Sequence, residues 1–169
     1  MPKLPADPYR PSRGPVVSGT WIVNSDGGAR GNPGPGGAGI VLRSPDGEIV
    51  CRGGAFLGTV TNNVAEYQAL LWGMRAARAH GAHALEVRAD SELIVKQLRG
   101  EYRVKNEGLK PLFLEAQRLQ RGFDSVTFLH VPRAANAEAD ALANDAMDRT
   151  ATVGDAPEPP CGRPTTLFG

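Results

Sequence analysis

The chain has 169 residues, of which 41% are hydrophobic and 22% are charged, and its net charge is +1 at pH 7. This length and composition correspond to about one globular domain with a buried core. The balanced charge excludes a global basic field, so contact with a polyanion must come from local clusters. The cysteines, Cys51 and Cys161, define neither a disulfide framework nor a zinc site. No apolar run is as long as a signal-peptide core or a membrane span, so we expect a cytoplasmic protein.

Proline marks both ends of the chain. Five prolines fall within residues 1–15, and four fall within residues 150–169. Proline-rich segments with few apolar residues tend to be extended rather than packed. We therefore predict a disordered N-terminal tail over residues 1–18, a folded domain over residues 19–149 and a disordered C-terminal tail over residues 150–169.

Three short strands open the predicted domain. Apolar runs place them at residues 21–25, 37–43 and 48–56. A loop rich in glycine and proline joins the first two strands, and a Ser-Pro-Asp-Gly turn at residues 44–47 joins the second to the third. Short connections of this kind join antiparallel neighbours, so the three strands form a meander.

Helices and further strands alternate in the rest of the domain. The predicted elements are helices at 62–80, from 91, at 109–121 and from a cap at Asn136, and strands at 84–89 and 124–131. A strand–helix–strand crossing produces a parallel pair of strands. The predicted fold class is therefore α/β, with a mixed sheet flanked by helices.

Four acidic residues fall where these elements begin or end. Asp26 and Asp90 each close a predicted strand, and Glu66 and Asp140 lie near the start of helices that pack on the sheet. Ligands in such sheets bind outside the carboxyl ends of parallel strands, so the four side chains are placed to converge.

Converging carboxylates need a cation. Two of them about 4 Å apart near a protein surface repel each other by about 4 kcal/mol. Oxygen ligands without histidine or cysteine suit Mg²⁺ or Mn²⁺. Two such ions can clamp the attacking and leaving oxygens of a phosphoryl group, which indicates phosphodiester hydrolysis.

At these positions the chain resembles the type 1 ribonucleases H. The four carboxylates stand at the four family positions, and the matching segments follow the family order over about residues 20–145, nearly the whole predicted domain. They are Asp26-Gly27-Gly28, Gly31-Asn32-Pro33-Gly34, Thr61-Asn62-Asn63, Ala65-Glu66, Asp90-Ser91, Val104-Lys105-Asn106, and Asn136 followed by Ala139-Asp140-Ala141-Leu142-Ala143. The resemblance implies a five-stranded mixed sheet, with strands 4 and 5 parallel to strand 1.

The resemblance also implies a reaction. It is the hydrolysis of the RNA strand of RNA–DNA hybrids, leaving 3′-hydroxyl and 5′-phosphate ends. Asp26, Glu66, Asp90 and Asp140 would bind two Mg²⁺ or Mn²⁺ ions when substrate is present. Glu66 would also lie near the RNA 2′-hydroxyl, the group that distinguishes RNA from DNA.

Further polar residues match family positions that contact the substrate. Asn62 and Asn63 match residues that read the minor groove, and Asn32 and Thr61 match residues that hold a phosphate of the DNA strand. Gly27 would let the nucleic acid backbone come close. Helix capping and loop hydrogen bonds are the alternative roles of the polar side chains.

Two departures from the family pattern concern the substrate surface. A helix and basic loop that grip the hybrid in many relatives are reduced here to residues 100–103, which leaves Arg103 and Lys105 as candidate contacts. A histidine-bearing loop before the last helix is cut to residues 132–135, which leaves Arg133 as an auxiliary candidate. Family members that are shortened in a similar way can also act on double-stranded RNA, which is therefore a second candidate substrate. Arg30 has the right charge for a polyanion but no assigned role.

Other interpretations keep part of this pattern. A hybrid-binding module without activity would lack one or more of the carboxylates. A proofreading exonuclease would carry two acidic residues one apart on the first strand, where this chain has Asp26-Gly27-Gly28. A further interpretation is that this domain is normally one half of a two-domain enzyme, fused to a phosphatase-like domain. We expect a monomer that makes no membrane contact.

Overall fold

A mixed sheet of six strands supports the rest of the protein in the computed structural model, which describes residues 19–160. The strands are β1 (Thr20–Ala29), β2 (Gly34–Arg43), β3 (Ile49–Val60), β4 (Ala84–Ala89), β5 (Ser125–His130) and β6 (Val153–Gly154). Across the sheet their order is β5-β4-β1-β2-β3-β6. The first three strands form the antiparallel meander, and β4 and β5 run parallel to β1. The predicted fold class is confirmed, with one strand more than the five expected.

Four helices connect and cover these strands. They are α1 (Asn62–Ala79), α2 (Glu92–Leu98), α3 (Lys110–Gln120) and α4 (Ala137–Arg149), and a 3₁₀ turn (Arg133–Asn136) precedes α4. Thr61 caps α1, because its hydroxyl oxygen accepts a hydrogen bond from the Val64 N–H at 3.2 Å. Asn136 occupies the predicted N-cap position of α4, but its side chain makes no capping hydrogen bond to the helix.

The first strand is longer than predicted and contains the residue expected at its end. β1 continues to Ala29, and Asp26 pairs with Gly39 inside the ladder between β1 and β2. The expected glycine loop directly after residue 26 is therefore wrong, and the connection is confined to residues 30–33. The glycines pair across the two strands, as Gly28 does with Gly37, instead of turning the chain.

One face of the sheet is packed with large side chains. Val23 and Ile40 point from the sheet into a core that α1 fills with Leu70 and Trp72, all of them fully buried. Glycine on the helix lets it lie close to the sheet here, because a Cβ atom on Gly73 would lie 2.9 Å from a methyl group of Val23. These side chains belong to the main hydrophobic core, and the burial of apolar area is the main source of stability.

The opposite face meets α4 through glycine. A Cβ atom on Gly39 would lie 2.0 Å from the carbonyl oxygen of Ala139, and one on Gly54 would lie 2.2 Å from that of Leu142. Real Cβ atoms do not approach backbone so closely, so glycine is what allows α4 to lie directly on the sheet.

The prediction of a disordered C-terminal tail is wrong for residues 150–160. We call this segment the C-terminal strap. Within it, β6 pairs with β3. The Asp155 carboxylate accepts a hydrogen bond from the Arg52 N–H at 3.0 Å, and the indole N–H of Trp72 donates to the Pro157 carbonyl at 2.8 Å. Proline content does not reveal these bonds, because they use backbone carbonyls and one aspartate.

Residues 1–18 and 161–169 lie outside the described part of the chain, so the tails predicted there stay predictions. Among residues 19–160, no helix combines the length and the apolar character that crossing a membrane requires.

Candidate active site

Glycine at position 27 brings the start of α1 against the sheet. A Cβ atom there would lie 2.1 Å from the carbonyl oxygen of Ala65 and 2.6 Å from the backbone nitrogen of Glu66. A larger residue would push the helix away from β1. The backbone N–H of Gly27 also hydrogen-bonds to the Glu66 carboxylate. Gly27 therefore holds Glu66 beside Asp26, its own neighbour in the chain.

Three of the predicted carboxylates converge at this point. One oxygen from each of Asp26, Glu66 and Asp90 lies within 4.8 Å of the other two. The register of the sheet explains the approach of the two aspartates, because Ser25 on β1 pairs with Ala89 on β4 and each is followed by an aspartate. The third carboxylate comes from α1.

The fourth predicted carboxylate joins from the other face of the sheet. Asp140 lies in the first turn of α4, close enough to Asp26 to help raise the pKa of that carboxyl group. It is not one of the three side chains that meet within 4.8 Å, although it lines the same cavity. The close seating of α4 on glycine places Asp140 within reach of Asp26.

The electrostatics of the cluster favour neutralisation. Burial raises the pKa of Asp26 to about 8, with further contributions from Asp90 and Asp140. Burial also raises the pKa of Glu66 to about 9, together with the charges of Asp26 and Asp90, although the Gly27 N–H and Arg133 lower it. Carboxyl groups in such surroundings bind either a proton or a nearby cation.

The donor set fits a hard divalent metal ion. Octahedral Mg²⁺ holds its oxygen ligands at about 2.1 Å, so ligands on opposite sides of the ion lie about 4 Å apart. The carboxylate oxygens of Asp26, Glu66 and Asp90 are already within 4.8 Å of one another. In the part of the chain that is described, the cluster contains no histidine or cysteine, which argues against a zinc site.

The carboxylates line an open cavity of about 430 Å³. Its remaining lining residues are Gly27, Gly28, Ala29, Arg30, Asn62, Arg133, Ala143, Asn144 and Met147. Arg133, in the 3₁₀ turn before α4, is close enough to lower the pKa of Glu66. The auxiliary candidate and the four carboxylates thus share one cavity.

The predicted substrate contacts near α1 also serve the fold. The Asn62 N–H donates to Asn32 Oδ1 at 3.0 Å, and the Ala29 N–H donates to Asn62 Oδ1 at 2.8 Å. These bonds tie the loop between β1 and β2 to the start of α1. Thr61 caps the helix, and Asn63 is half-buried beside it. Of these polar side chains, only that of Asn62 is among the described residues that line the cavity.

The structure does not bring Arg103 and Lys105 to the carboxylates. Arg103 lines a second cavity of about 570 Å³, together with Tyr102 and Phe113. Lys105 is exposed in the segment that links α2 to α3. A contact between these residues and a long substrate would lie away from the reacting group.

Sequence analysis missed a buried amide pair beside the cluster. The Asn24 side-chain N–H donates to Asn136 Oδ1 at 3.1 Å, and the Asn136 side chain donates to the Ser25 carbonyl at 2.7 Å. Asn24 and Asn136 are both buried. The pair links β1, just before Asp26, to the start of the helix that carries Asp140. The sequence offered only isolated polar residues beside apolar segments, a pattern that capping explains equally well.

Comparison with known proteins identifies relatives of this chain. A family described as reverse transcriptase-like matches residues 24–146. Ribonuclease HI of Halobacterium salinarum is 48% identical over 123 residues, which are 73% of this chain and 62% of that protein. The chain thus spans less than two thirds of the length of this curated relative.

Solved structures give the same assignment. The crystal structure of RNase H1 from Halobacterium salinarum NRC-1 is 46% identical with a TM-score of 0.75, and the match covers 78% of this chain and 99% of that one. LC11-RNase H1 in complex with RNA/DNA hybrid is 41% identical with a TM-score of 0.73, and the match covers 77% and 98%. By these matches, and in agreement with its converging carboxylates, the chain belongs to the type 1 ribonuclease H family.

Proposed function

We propose that the protein is an endoribonuclease that hydrolyses the RNA strand of RNA–DNA hybrids and leaves 3′-hydroxyl and 5′-phosphate ends. The observation that carries this proposal is the convergence of Asp26, Glu66 and Asp90 within 4.8 Å, in a chain of the type 1 ribonuclease H family. The hybrid bound in the LC11-RNase H1 complex supports the class of substrate.

Asp26, Glu66, Asp90 and Asp140 would hold two Mg²⁺ or Mn²⁺ ions when substrate is bound. Ions bound there would supply the positive charge that activates a water molecule and stabilises the leaving oxygen in phosphodiester hydrolysis. The chain's own residues position both the ions and the RNA. Glu66, held by the Gly27 N–H, is the carboxylate that we place near the 2′-hydroxyl of the RNA.

Polar residues around the cavity would orient the duplex. Asn62 uses its side-chain oxygen to accept from Ala29, so we assign its amide N–H group to the minor groove, beside Asn63. Asn32 and Thr61 are assigned to a phosphate of the DNA strand. Gly27, which lines the cavity, would allow close approach of the backbone.

Three basic residues complete the proposed substrate surface. Arg133, which lines the cavity, would assist at the scissile phosphate. Arg103 and Lys105 would contact the duplex away from the reaction, in place of the basic protrusion of many relatives. The cytoplasmic location and the monomeric state stay predictions from the sequence.

Cleavage of matched duplexes tests the proposal. RNA–DNA, RNA–RNA and DNA–DNA duplexes of one sequence are incubated with the full chain and Mg²⁺ or Mn²⁺, and the products are resolved by gel. We expect cleavage of the RNA strand in the hybrid and none of DNA–DNA. Cleavage of DNA alone, or of no duplex with either metal, would contradict the proposal. The RNA–RNA duplex decides whether double-stranded RNA is also a substrate.

A matched pair of variants tests the metal-ligand assignment. Asp90→Asn should lower kcat by about 10³-fold or more, because it removes one of the negative charges that would bind the metal ions. Glu92→Gln removes the same charge two residues later, from an exposed side chain that pairs with Lys96 at 2.7 Å, and should retain activity. If hybrid binds to a wild-type protein that never cleaves it, the non-catalytic binding module becomes the better interpretation.

A further inference from the structure

Arg30 is placed by a rigid backbone but held by exposed partners. Its N–H donates to the Pro35 carbonyl at 2.8 Å, and a Cβ atom on Gly34 would lie 2.2 Å from its carbonyl oxygen. The backbone at the turn between β1 and β2 therefore has little freedom. The guanidinium bonds to Asp148 at 2.8 Å and to the side-chain oxygen of Asn144 at 3.2 Å, with half of the Arg30 side chain exposed.

The partners of Arg30 can release it at low cost. The Asp148 side chain is 64% exposed, and exposed ion pairs are worth about 0–1 kcal/mol. A guanidinium binds a phosphate with two parallel hydrogen bonds, which are about twice as strong as neutral ones. A phosphate arriving beside Arg30 would therefore compete well with Asp148.

Arg30 lies where a phosphate of the substrate would pass. Arg30 and Arg133 are the two basic residues among the described residues that line the cavity of the carboxylates. Arg133 acts on Glu66, whereas Arg30 pairs with Asp148 at the far end of α4, outside the cluster. The charge of Arg30 therefore remains available to a polyanion that runs along the cavity.

We propose that Arg30 gives up its ion pair with Asp148 and binds a backbone phosphate of the nucleic acid substrate in its place. This inference rests on the proposed function, since it assumes that the cavity receives a nucleic acid duplex. In the absence of substrate, the pairing with Asp148 keeps the guanidinium extended over α4 and clear of the metal ligands. Asp148 thereby weakens substrate binding, because the duplex must first displace it.

Substitutions of Arg30 and of Asp148 should change substrate affinity in opposite directions. The Kd of a fluorescent RNA–DNA hybrid is measured by anisotropy in EDTA, and KM and kcat are measured in Mg²⁺. Arg30→Gln should raise Kd and KM by about tenfold, the effect of one lost hydrogen bond to a charged group. It should also reduce the slope of log Kd against log salt by about 0.9, the value for one phosphate contact. Asp148→Asn should lower Kd by about two- to threefold.

Matched variants separate this exchange from general charge effects and from a clamp on α4. Asp145→Asn removes the same charge from the same helix, at a residue that pairs with Arg149 instead, and should change Kd less than Asp148→Asn does. Arg43→Gln removes an ion pair of equal length, 2.8 Å to Glu138 on α4, and should leave Kd unchanged. In the double variant, Asp148→Asn should give no gain over Arg30→Gln alone.

The outcomes distinguish a failure of the role of Arg30 from a failure of the proposed function. If both Arg30→Gln and Asp148→Asn raise Kd, Arg30 is only a clamp between the turn and α4, and the inference is overturned. The same holds if wild-type protein cleaves hybrid and Arg30→Gln binds it with unchanged Kd and salt slope. If wild-type protein neither binds nor cleaves hybrid, the proposed function fails, and the inference fails with it.

Discussion

The two faces of the sheet hold their helices by opposite means. Under α1, Val23 and Ile40 interlock with large side chains such as Leu70, so contact is made by bulk. Under α4, Gly39 and Gly54 present bare backbone, so contact is made by the absence of bulk. Bulk buries apolar area and stabilises the fold. Bare backbone leaves nothing between helix and strand that can rotate, and so it fixes distance.

The proposed chemistry depends on the glycine contacts of both faces. Asp140 reaches Asp26 across the glycine contact, whereas the first face contributes Glu66 through a single glycine, Gly27. The contrast suggests that stability and site geometry can be altered separately. The following experiments test that separation, beginning with the largest expected effect.

Leu70→Ala should cost about 2–5 kcal/mol of unfolding free energy, because it leaves a cavity in the fully buried core under α1. The residual protein should still cleave hybrid at low temperature with nearly normal kcat, since Gly27 still seats the start of α1 that carries Glu66, and α4 is untouched. Urea unfolding and single-substrate kinetics measure the two quantities. Leu114→Ala, at a side chain that is mostly exposed, is the control and should change stability by less than about 0.5 kcal/mol. A loss of kcat that parallels the loss of stability would remove the proposed separation.

Gly39→Ala should reduce activity as well as stability, unlike the core substitution. Its Cβ would meet the Ala139 carbonyl at 2.0 Å, so α4 must shift, at a cost of about 3 kcal/mol. A shift of about 1 Å in a catalytic group can lower the rate by about 10²-fold. Gly28→Ala is a stability control, because its Cβ would meet nothing closer than 4.0 Å. Wild-type kcat in Gly39→Ala would show that the seating of α4 does not set the site geometry.

Asn136→Ala should destabilise the protein by about 2 kcal/mol, because the Asn24 side chain loses its buried acceptor. Because the amide pair links β1 to α4, kcat should fall while KM stays near wild type. Thermal unfolding and steady-state kinetics on hybrid give both numbers. Asn106→Ala, in an exposed loop where the side chain bonds only locally to Gly108, provides the comparison. Equal effects from the two substitutions would contradict the positioning role.

The last prediction is a dependence of stability on pH and metal, which is measured without changing the core. Asp26 and Glu66 have pKa values of about 8 and 9 in the folded protein, raised from 3.8 and 4.5. The folded state then binds more protons than the unfolded state between these values. Stability from these groups is complete below about pH 4 and is lost as the pH rises towards 8 and 9. Each group contributes a slope of at most about 1.4 kcal/mol per pH unit.

Thermal unfolding at pH 6 and pH 8.5, in EDTA and in Mg²⁺, measures this dependence. Without metal, the Tm should be lower at pH 8.5 than at pH 6, and Mg²⁺ should raise it more at pH 8.5. Asp26→Asn removes one carboxylate from the cluster, so both differences should shrink. An identical pH response in the variant would assign the effect to other groups.

Much of the architecture follows from local patterns in the sequence. Strand and helix periods together with short turns predicted the meander, the parallel strands and the mixed sheet. Asp26 and Asp90 were expected to converge because both follow strands at the same edge, and the register of Ser25 with Ala89 explains their approach. These features depend on neighbours along the chain or on adjacent strands.

Features that depend on contact between distant segments were not predicted. The glycines at 37 and 39 alternate on β2 and so share one face, but a period of two does not reveal that a helix lies against them. Asn136 is a normal capping residue, and only the folded chain shows its amide directed at Ser25. The loop after residue 26 was placed too early because glycine normally marks turns, whereas here it continues the strand.

The C-terminal strap has a consequence for where the protein can be shortened. A chain ended at residue 149, the boundary that composition suggests, would lose the carbonyl of Pro157 that accepts from Trp72. It would also uncover the outer edge of β3, and free strand edges promote pairing with other chains. The smallest fragment that remains monodisperse should therefore extend to residue 160, and aggregation of shorter fragments would follow from this exposed edge rather than from loss of the active site.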